Sequence, residues 1–194
     1  MEDFIRARCH VYDMMKDRGY TLKGVKREVK EIKEVEELDF VCYNGKEEVR
    51  VCWYSTKFCV GNVRNLLASM EEEDFFHAIV ICEQSTKQTT SNLRNQKYQI
   101  ELFVLSQVLF NPTKHEFVPK HELCTQAEIK ELLAAYGGTI ANFPKIFDSD
   151  PIARYYGAKK GDVFRITANS DCIDGTAIRY RTVVKGVFKT KGKK

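Results

Sequence analysis

FVPKHELCTQAEIKELLAAYGGTIANFPKIFDSDPIARYYGAKKGDVFRI, from Phe117 to Ile166, decides the fold, because its helix has both ends written into the sequence. Thr125 followed by Glu128 is a capping box, in which hydroxyl and carboxylate satisfy backbone N–H groups that a first helical turn leaves unpaired. Ile129, Leu132, Leu133 and Tyr136 then fall at i, i+3, i+4 and i+7, one apolar face, and Gly137-Gly138 supplies the left-handed residue that ends such helices. Asp150-Pro151 sets a side-chain acceptor before a residue whose fixed φ suits a first helical position, which predicts one short turn from Ile152 to Tyr156, stopped at Gly157. Lys160-Gly161 reads as a tight turn into Val163, Phe164 and Ile166, a strand.

Working outward, Phe4, Ala7, Val11, Tyr12 and Met15 line one face of an opening helix that Gly19 closes. The segment Lys23 to Asp39 sets five basic and six acidic residues around Val25, Val29, Ile32, Val35 and Leu38, and reads as a solvated amphipathic helix with i,i+4 charge pairs. Asn44-Gly45 between DFVCY and EVRVCWY predicts a hairpin, since both central residues of a type I′ turn take positive φ. Asn62 is placed to cap a helix bearing Val63, Leu66, Leu67 and Met70, and FFHAIVIC (Phe75 to Cys82) is apolar enough for a central strand. Strand, helix, strand predicts a sheet with helices packed on it. The polar stretch Glu83 to Gln99 reads as a loop tip, and Ile100 to Phe110 does not divide between helix and strand by periodicity. The prolines of Asn111-Pro112 and Val118-Pro119 mark the boundary between two halves.

Composition bounds the function. With 194 residues, 43% of them hydrophobic, the chain can bury one large or two small cores. No apolar run approaches the ~20 residues of a membrane span, and the charged start MEDFIRARC lacks a signal peptide's apolar core, so an intracellular chain is expected. The formal charge of +4 is concentrated in the end: Lys185, Lys189, Lys191, Lys193 and Lys194 belong to KGVFKTKGKK, leaving 26 basic against 27 acidic residues elsewhere. Such a body is not a general phosphate-neutralising binder, and the tail reads as a solubilising terminus.

Seven cysteines, at 9, 42, 52, 59, 82, 124 and 172, form no CxxC pair and no zinc spacing with histidine, so they are expected to be reduced, several of them small hydrophobes in strands, and no metal is expected. None advertises the electropositive, partly exposed setting that a catalytic thiol needs, and nothing in the sequence brings His10, His77, His115 or His121 to one. His77, inside an apolar run, reads as a satisfied core or strand residue.

Five blocks, FVPKH (Phe117 to His121), FPKI (Phe143 to Ile146), SDPIARYYG (Ser149 to Gly157), KKGDVFRI (Lys159 to Ile166) and AIRYR (Ala177 to Arg181), occur in one order. Together they resemble the C-terminal assembly domain of the fifth common subunit of eukaryotic nuclear RNA polymerases, and the counterpart of that domain in archaeal RNA polymerase. MMKDRGY (Met14 to Tyr20) resembles the end of the first helix in the eukaryotic protein and extends the likeness forward.

The resemblance implies an α+β chain: an N-terminal jaw domain (1–112), with a central sheet flanked by helices, nuclease-like in shape; a small mixed assembly domain (113–184); and a basic tail (185–194). It implies a non-catalytic, cofactor-free polymerase subunit docked on the largest subunit, with the jaw toward downstream duplex DNA and no small-molecule substrate. It favours a short helix followed by a strand in residues 100–110. Pro144, Asp150, Pro151, Ile152, Arg154, Tyr155 and Tyr156, with Arg165, Arg179 and Arg181 on the last strands, are the expected partner interface. Thr89, Thr90, Ser91 and Asn92 resemble the family's downstream-DNA loop motif with its proline and alanine replaced, and Lys87, Arg94 and Lys97 flank it.

The likeness to a nuclease fold sends the search to metal-binding acids. Trp53 to Lys57 has a lysine without an acid two residues earlier, and Asp39 alone does not hold magnesium for hydrolysis. NSDCIDGT (Asn169 to Thr176) departs from the family's loop, and the lysine tail is longer than in cellular members, as expected of a long-diverged homologue such as one encoded by a giant DNA virus. The expected location is the nucleus for a cellular chain, and the virion or infected-cell cytoplasm for a viral one. The alternative reading is a stand-alone nucleic-acid binder using residues 171–182 and the tail.

Overall fold

A computed structural model describes residues 1–45, 47–94, 97–170 and 175–186. The chain divides into two compact units, Met1–Asn111 and Pro112–Lys194, each with its own sheet. Helices and strands mix in both, an α+β fold as expected.

The first unit opens with helix α1 (Glu2–Asp17), followed by the strands β1 (Phe40–Asn44) and β2 (Glu47–Phe58), helix α2 (Val60–Glu72), strand β3 (His77–Ser85), helix α3 (Lys87–Arg94), strand β4 (Gln99–Val104) and a single turn, α4 (Leu105–Val108). The sheet runs β1-β2-β3-β4, its first pair antiparallel and the other two parallel. Alternation along β2 explains the layers. Val49, Val51 and Trp53 are buried on one side, where Phe4 of α1 meets the Trp53 ring edge-on at 6.2 Å. On the other side Cys52 and Tyr54 join Phe58, Leu66, Met70 and Phe75 in the core beneath α2. β3 is buried on both faces from His77 to Cys82, which is why it reads as an unbroken apolar run.

Several expectations are corrected here. Residues 23–34 form no helix; only Val35–Leu38 makes a 3₁₀ turn. β-branched residues at 25, 29, 32 and 35 disfavour a helix, and the carbonyls it would use are taken by a buried guanidinium. Arg8, 5% exposed, donates from Nε to the Leu38 carbonyl at 3.3 Å and from Nη1 to those of Lys26 and Arg27, while lying over the Phe40 ring. Arg27 is forked onto Asp13 at 2.9 and 3.0 Å. Arg8→Met is therefore expected to cost about 2–3 kcal/mol, since hydrogen bonds to charged groups contribute that much. Native-state hydrogen exchange should speed up across residues 25–39 first; unchanged protection there would refute the strut.

The hairpin forms, but Asn44 still pairs with Glu47 in the ladder, so it is the last residue of β1 and not a central turn residue as the Asn-Gly reading had it, while Gly45 takes φ 62°. α2 begins at Val60, two residues before Asn62. Cys59 is its N-cap, and Asn62 accepts the Cys59 backbone N–H at 3.0 Å, the second half of a capping box. The stretch 83–99 is not a loop tip: it completes β3, makes α3 and starts β4. Residues 99–108 run strand then helix, the reverse of the implied order, because β4 pairs in parallel with β3 from Gln99 to Val104.

The second unit has strand β5 (Lys120–Leu123), helix α5 (Gln126–Tyr136), strand β6 (Lys145–Phe147), helix α6 (Pro151–Tyr155), and strands β7 (Val163–Ser170) and β8 (Gly175–Val184), in the sheet order β5-β7-β8-β6. Thr125 caps α5 by accepting the Glu128 N–H, Glu128 reciprocates at 2.7 Å, and Gly137 ends the helix at φ 65°. Of the apolar stripe on α5 only Ile129 is buried; Tyr136 is 69% exposed. The core lies instead on the other side, where Ile146, Ala153, Phe164, Ile166 and Val183 pack together. Residues 171–174 of the expected polar turn, and 187–194 of the basic tail, lie outside the described residues.

Candidate functional site

The expected partner interface centres on α6. Asp150 accepts the Ile152 N–H at 2.9 Å and Pro151 takes the first helical position, as the sequence requires. The five-residue helix turns Ile152, Ala153 and Tyr155 inward, Ile152 at 7% and Tyr155 at 4% exposure. This corrects their reading as surface anchors: both are spent in packing. Tyr156, half-buried, meets Phe164 edge-on at 5.9 Å. Pro144 and Pro151 are exposed, and Arg154 is half-buried.

The three strand arginines separate. Arg165 is held within the unit, donating to Glu122 at 3.2 Å and to Glu128 at 3.4 Å. Thr125 above all, and Arg165 after it, hold the Glu128 carboxyl below its usual range. Arg179 and Arg181 are exposed. They pair with Ile166 and Phe164 in register and so share their face, about 7 Å apart at the usual strand rise. These two and the prolines are the members of the expected interface that stand most open to solvent, while Asp150, Arg154, Tyr156 and Arg165 are partly exposed.

The expected DNA-proximal residues lie on α3 and just beyond it. Thr86 accepts the Thr89 N–H at 3.1 Å and so caps the helix. Thr89 is fully buried: its hydroxyl lies 2.7 Å from that of Thr86 and donates to the Phe58 carbonyl at 3.4 Å, so it is not presented to a phosphate. The Thr90 hydroxyl donates back to the Thr86 carbonyl, and Asn92 is half-buried. Lys87 and Ser91, one turn apart, are exposed. The Arg94 side chain lies outside the described part. Lys97 sits with its Nζ over the rings of Phe76 and Tyr98, at 5.4 and 5.7 Å.

Sequence reading missed a buried charge network, since its members come from four elements with no local signature. His77 places Nδ1 3.2 Å from Glu47 and Nε2 3.0 Å from Glu101, and Arg18, after α1, forks onto Glu101 at 2.9 and 2.8 Å. His77 is thus the satisfied strand residue expected. Burial alone would raise the Glu101 carboxyl, but the Arg18 charge and the bonds from His77 and Arg18 bring it down to about 2. Burial, then the Glu47 charge, push the Tyr20 phenol up to about 12.

Asp39 borders a cleft of about 400 Å³ that Cys52, Tyr54, Asn65 and Glu73 also line. It accepts the Trp53 backbone N–H at 2.7 Å. Burial of its carboxyl, then the charge of Glu36, push it up, although solvent reaching the exposed part of the residue screens the effect. Among the described residues, no three His, Cys, Asp or Glu side chains gather to hold a metal. Burial also pushes the Cys42 and Cys52 thiols up to about 12, in keeping with their reading as small hydrophobes. Cys59 is different from what the sequence suggested: it is exposed, and bonds from the Asn62 and Gly61 backbone pull its thiol down.

The fold and these surfaces define an α+β protein whose second unit joins a boxed helix, an Asp-Pro helical turn and a glycine-turned strand around one small core. Residues 110–183 match the family model described as RNA polymerase Rpb5, C-terminal domain. The chain is 30% identical over 198 residues to the Dictyostelium discoideum "DNA-directed RNA polymerases I, II, and III subunit rpabc1", covering 95% of this chain and all of that protein. It is 34% identical over 133 residues to the subunit RPABC1 of Caenorhabditis briggsae, where the match covers 66% of this chain and only 62% of the relative. The "DNA-directed RNA polymerase subunit Rpo5" of Methanocaldococcus jannaschii is 41% identical over 76 residues, 39% of this chain and 96% of that protein. The chain belongs to the RNA polymerase Rpb5 family.

Proposed function

We propose that this chain is a structural subunit of a multisubunit DNA-directed RNA polymerase and carries out no nucleotidyl transfer itself. The observation that supports this most is the end-to-end likeness to a relative named as such a subunit. In this reading the second unit is the assembly domain and docks on the largest subunit, through the exposed Arg179 and Arg181 with the rim of Pro144 and Pro151. The first unit is the jaw and lies near downstream duplex, with Lys87 and Ser91 of α3 as the groups able to meet a phosphate. The subunit works where its polymerase works: the nucleus for a cellular chain, the virion or infected-cell cytoplasm for a chain encoded by a large DNA virus.

Affinity purification of the tagged chain from its native source at moderately high salt tests the reading. Two very large partner chains at equal stoichiometry are the expected result, since obligate interfaces are extensive and survive salt. Recovery of the chain alone, or with nucleic acid only, would overturn it in favour of a stand-alone binder. Arg179→Glu with Arg181→Glu should lower recovery of the large chains about tenfold or more, because like-charge contacts across an interface cost several kcal/mol. Undiminished recovery would remove these two residues from the interface while leaving subunit membership intact.

A further inference from the structure

At the start of β3 two adjacent phenylalanines take opposite fates. Asp74, with φ at 52° the one described non-glycine residue in the left-handed region, turns the chain out of α2. Phe75 then enters the core at 4% exposure, while Phe76 stands 52% exposed. The Phe76 ring is nevertheless fixed. Its carbonyl accepts the Gln99 N–H at 2.9 Å, and its ring meets that of Tyr98, at the start of the neighbouring strand, with centroids 5.5 Å apart. Lys97 already occupies the pair as a cation would. Two rigid aromatic faces that accept an ammonium group are the kind of anchor on which interfaces concentrate their binding energy.

The charge around this platform selects its occupant. Glu71, Glu72, Glu73 and Asp74 are all exposed beside it, and the last turn of α2 carries no basic residue to offset them or the negative end of the helix dipole. Arg50 from the neighbouring strand pairs with Glu48 and Glu73 and lies 4.1 Å over Phe75, so the charge left to meet a cation is that of Glu71, Glu72 and Asp74. A phosphate backbone is repelled by such a rim, whereas a cationic side chain relieves the crowding of like charges and gains a ring face.

We propose that Phe76 and Tyr98, with the acidic end of α2, form a docking surface for a basic segment of a partner protein, one in which arginine alternates with an apolar residue. The arginine displaces Lys97 from the rings, its planar guanidinium stacking better than an ammonium, and the apolar neighbour covers Phe76. The surface is independent of the polymerase reading, since it draws on residues outside those assigned to that role except Lys97.

The full chain, labelled with ¹⁵N, is titrated with the acetylated, amidated peptide Leu-Arg-Leu-Arg-Arg-Leu, with its counterpart carrying glutamate for arginine, and with a short DNA duplex. The arginine peptide alone should shift the amides of residues 71–76, 97 and 98, in a salt-dependent way. Phe76→Ala should weaken it about tenfold or more, the usual effect of removing an aromatic anchor. That variant keeps its melting temperature, because the ring is half in solvent. Unaltered affinity in Phe76→Ala, or shifts of the same amides by duplex, would overturn the proposal. So would a concentration-dependent dimer in sedimentation that Phe76→Ala abolishes, which would make a second copy of the chain the occupant.

Discussion

Glu101→Leu is expected to destabilise the first unit by about 3–5 kcal/mol, the cost of stranding a buried charge. The guanidinium of Arg18 is 4% exposed and has Glu101 forked onto it; without that carboxylate both Arg18 and His77 face a hydrocarbon. Arg18→Met combined with Glu101→Leu removes the charges together and should recover much of the loss, a non-additivity that a double-mutant cycle reads directly. The pH dependence carries a definite sign. The folded Glu101 carboxyl lies at about 2 against an ordinary 4.5. Its contribution is therefore fully present above about 4.5 and is lost as pH falls through 2. Urea unfolding followed by Trp53, the chain's single tryptophan and buried in this unit, measures both effects. A change within about 1 kcal/mol in Glu101→Leu, the size of an ordinary surface pair, would reduce the network to decoration.

Ile152→Asp with Tyr155→Ala should unfold the second unit rather than free a folded chain from a partner. The first change places a carboxylate where Ile152 is buried, and the second removes an aromatic ring at a cost of about 3–5 kcal/mol. Against a typical stability of about 5–15 kcal/mol for a whole domain, the pair is decisive. Amides of β7 and β8 should lose their exchange protection while Trp53 fluorescence stays native. If the double variant instead keeps native protection in β7 and β8, α6 is not the wedge that its burial makes it. A pull-down with this variant reports on folding, and only exposed positions such as Arg179 and Arg181 report on a docking surface.

What the sequence made legible is governed by short-range chemistry. The Thr125–Glu128 box, the Asp150-Pro151 entry and the positive φ of Gly137, Gly157 and Gly161 each depend on neighbours within a few residues, and each is readable. The failures have long-range causes. Residues 23–39 carry a helical spacing, yet a guanidinium from α1 captures their carbonyls across 18 to 30 positions. Thr89 looks like a polar loop residue because nothing local announces that α3 packs its hydroxyl on Phe58, 31 residues earlier. Ile152 and Tyr155 share the apolar character of an anchor and of a core residue, and only the packed structure tells which. The network of Arg18, His77 and Glu101 leaves no trace, because its partners stand 83 and 24 residues apart.

The strand orders also set a timetable for biosynthesis. Every strand of the first sheet has been made once Val104 is added, whereas the second sheet places β8 between β7 and β6, so β6 has no neighbour until residues 175–184 exist. Eighty residues separate Val104 from Val184, which at roughly 5–20 residues per second gives the first unit a lead of several seconds on the ribosome. During that interval β6 is synthesised but has no strand to pair with, and the core of Ile146, Ala153, Phe164 and Ile166 lacks Val183 of β8. The nascent second unit is thus the part of the chain that chaperones have reason to attend.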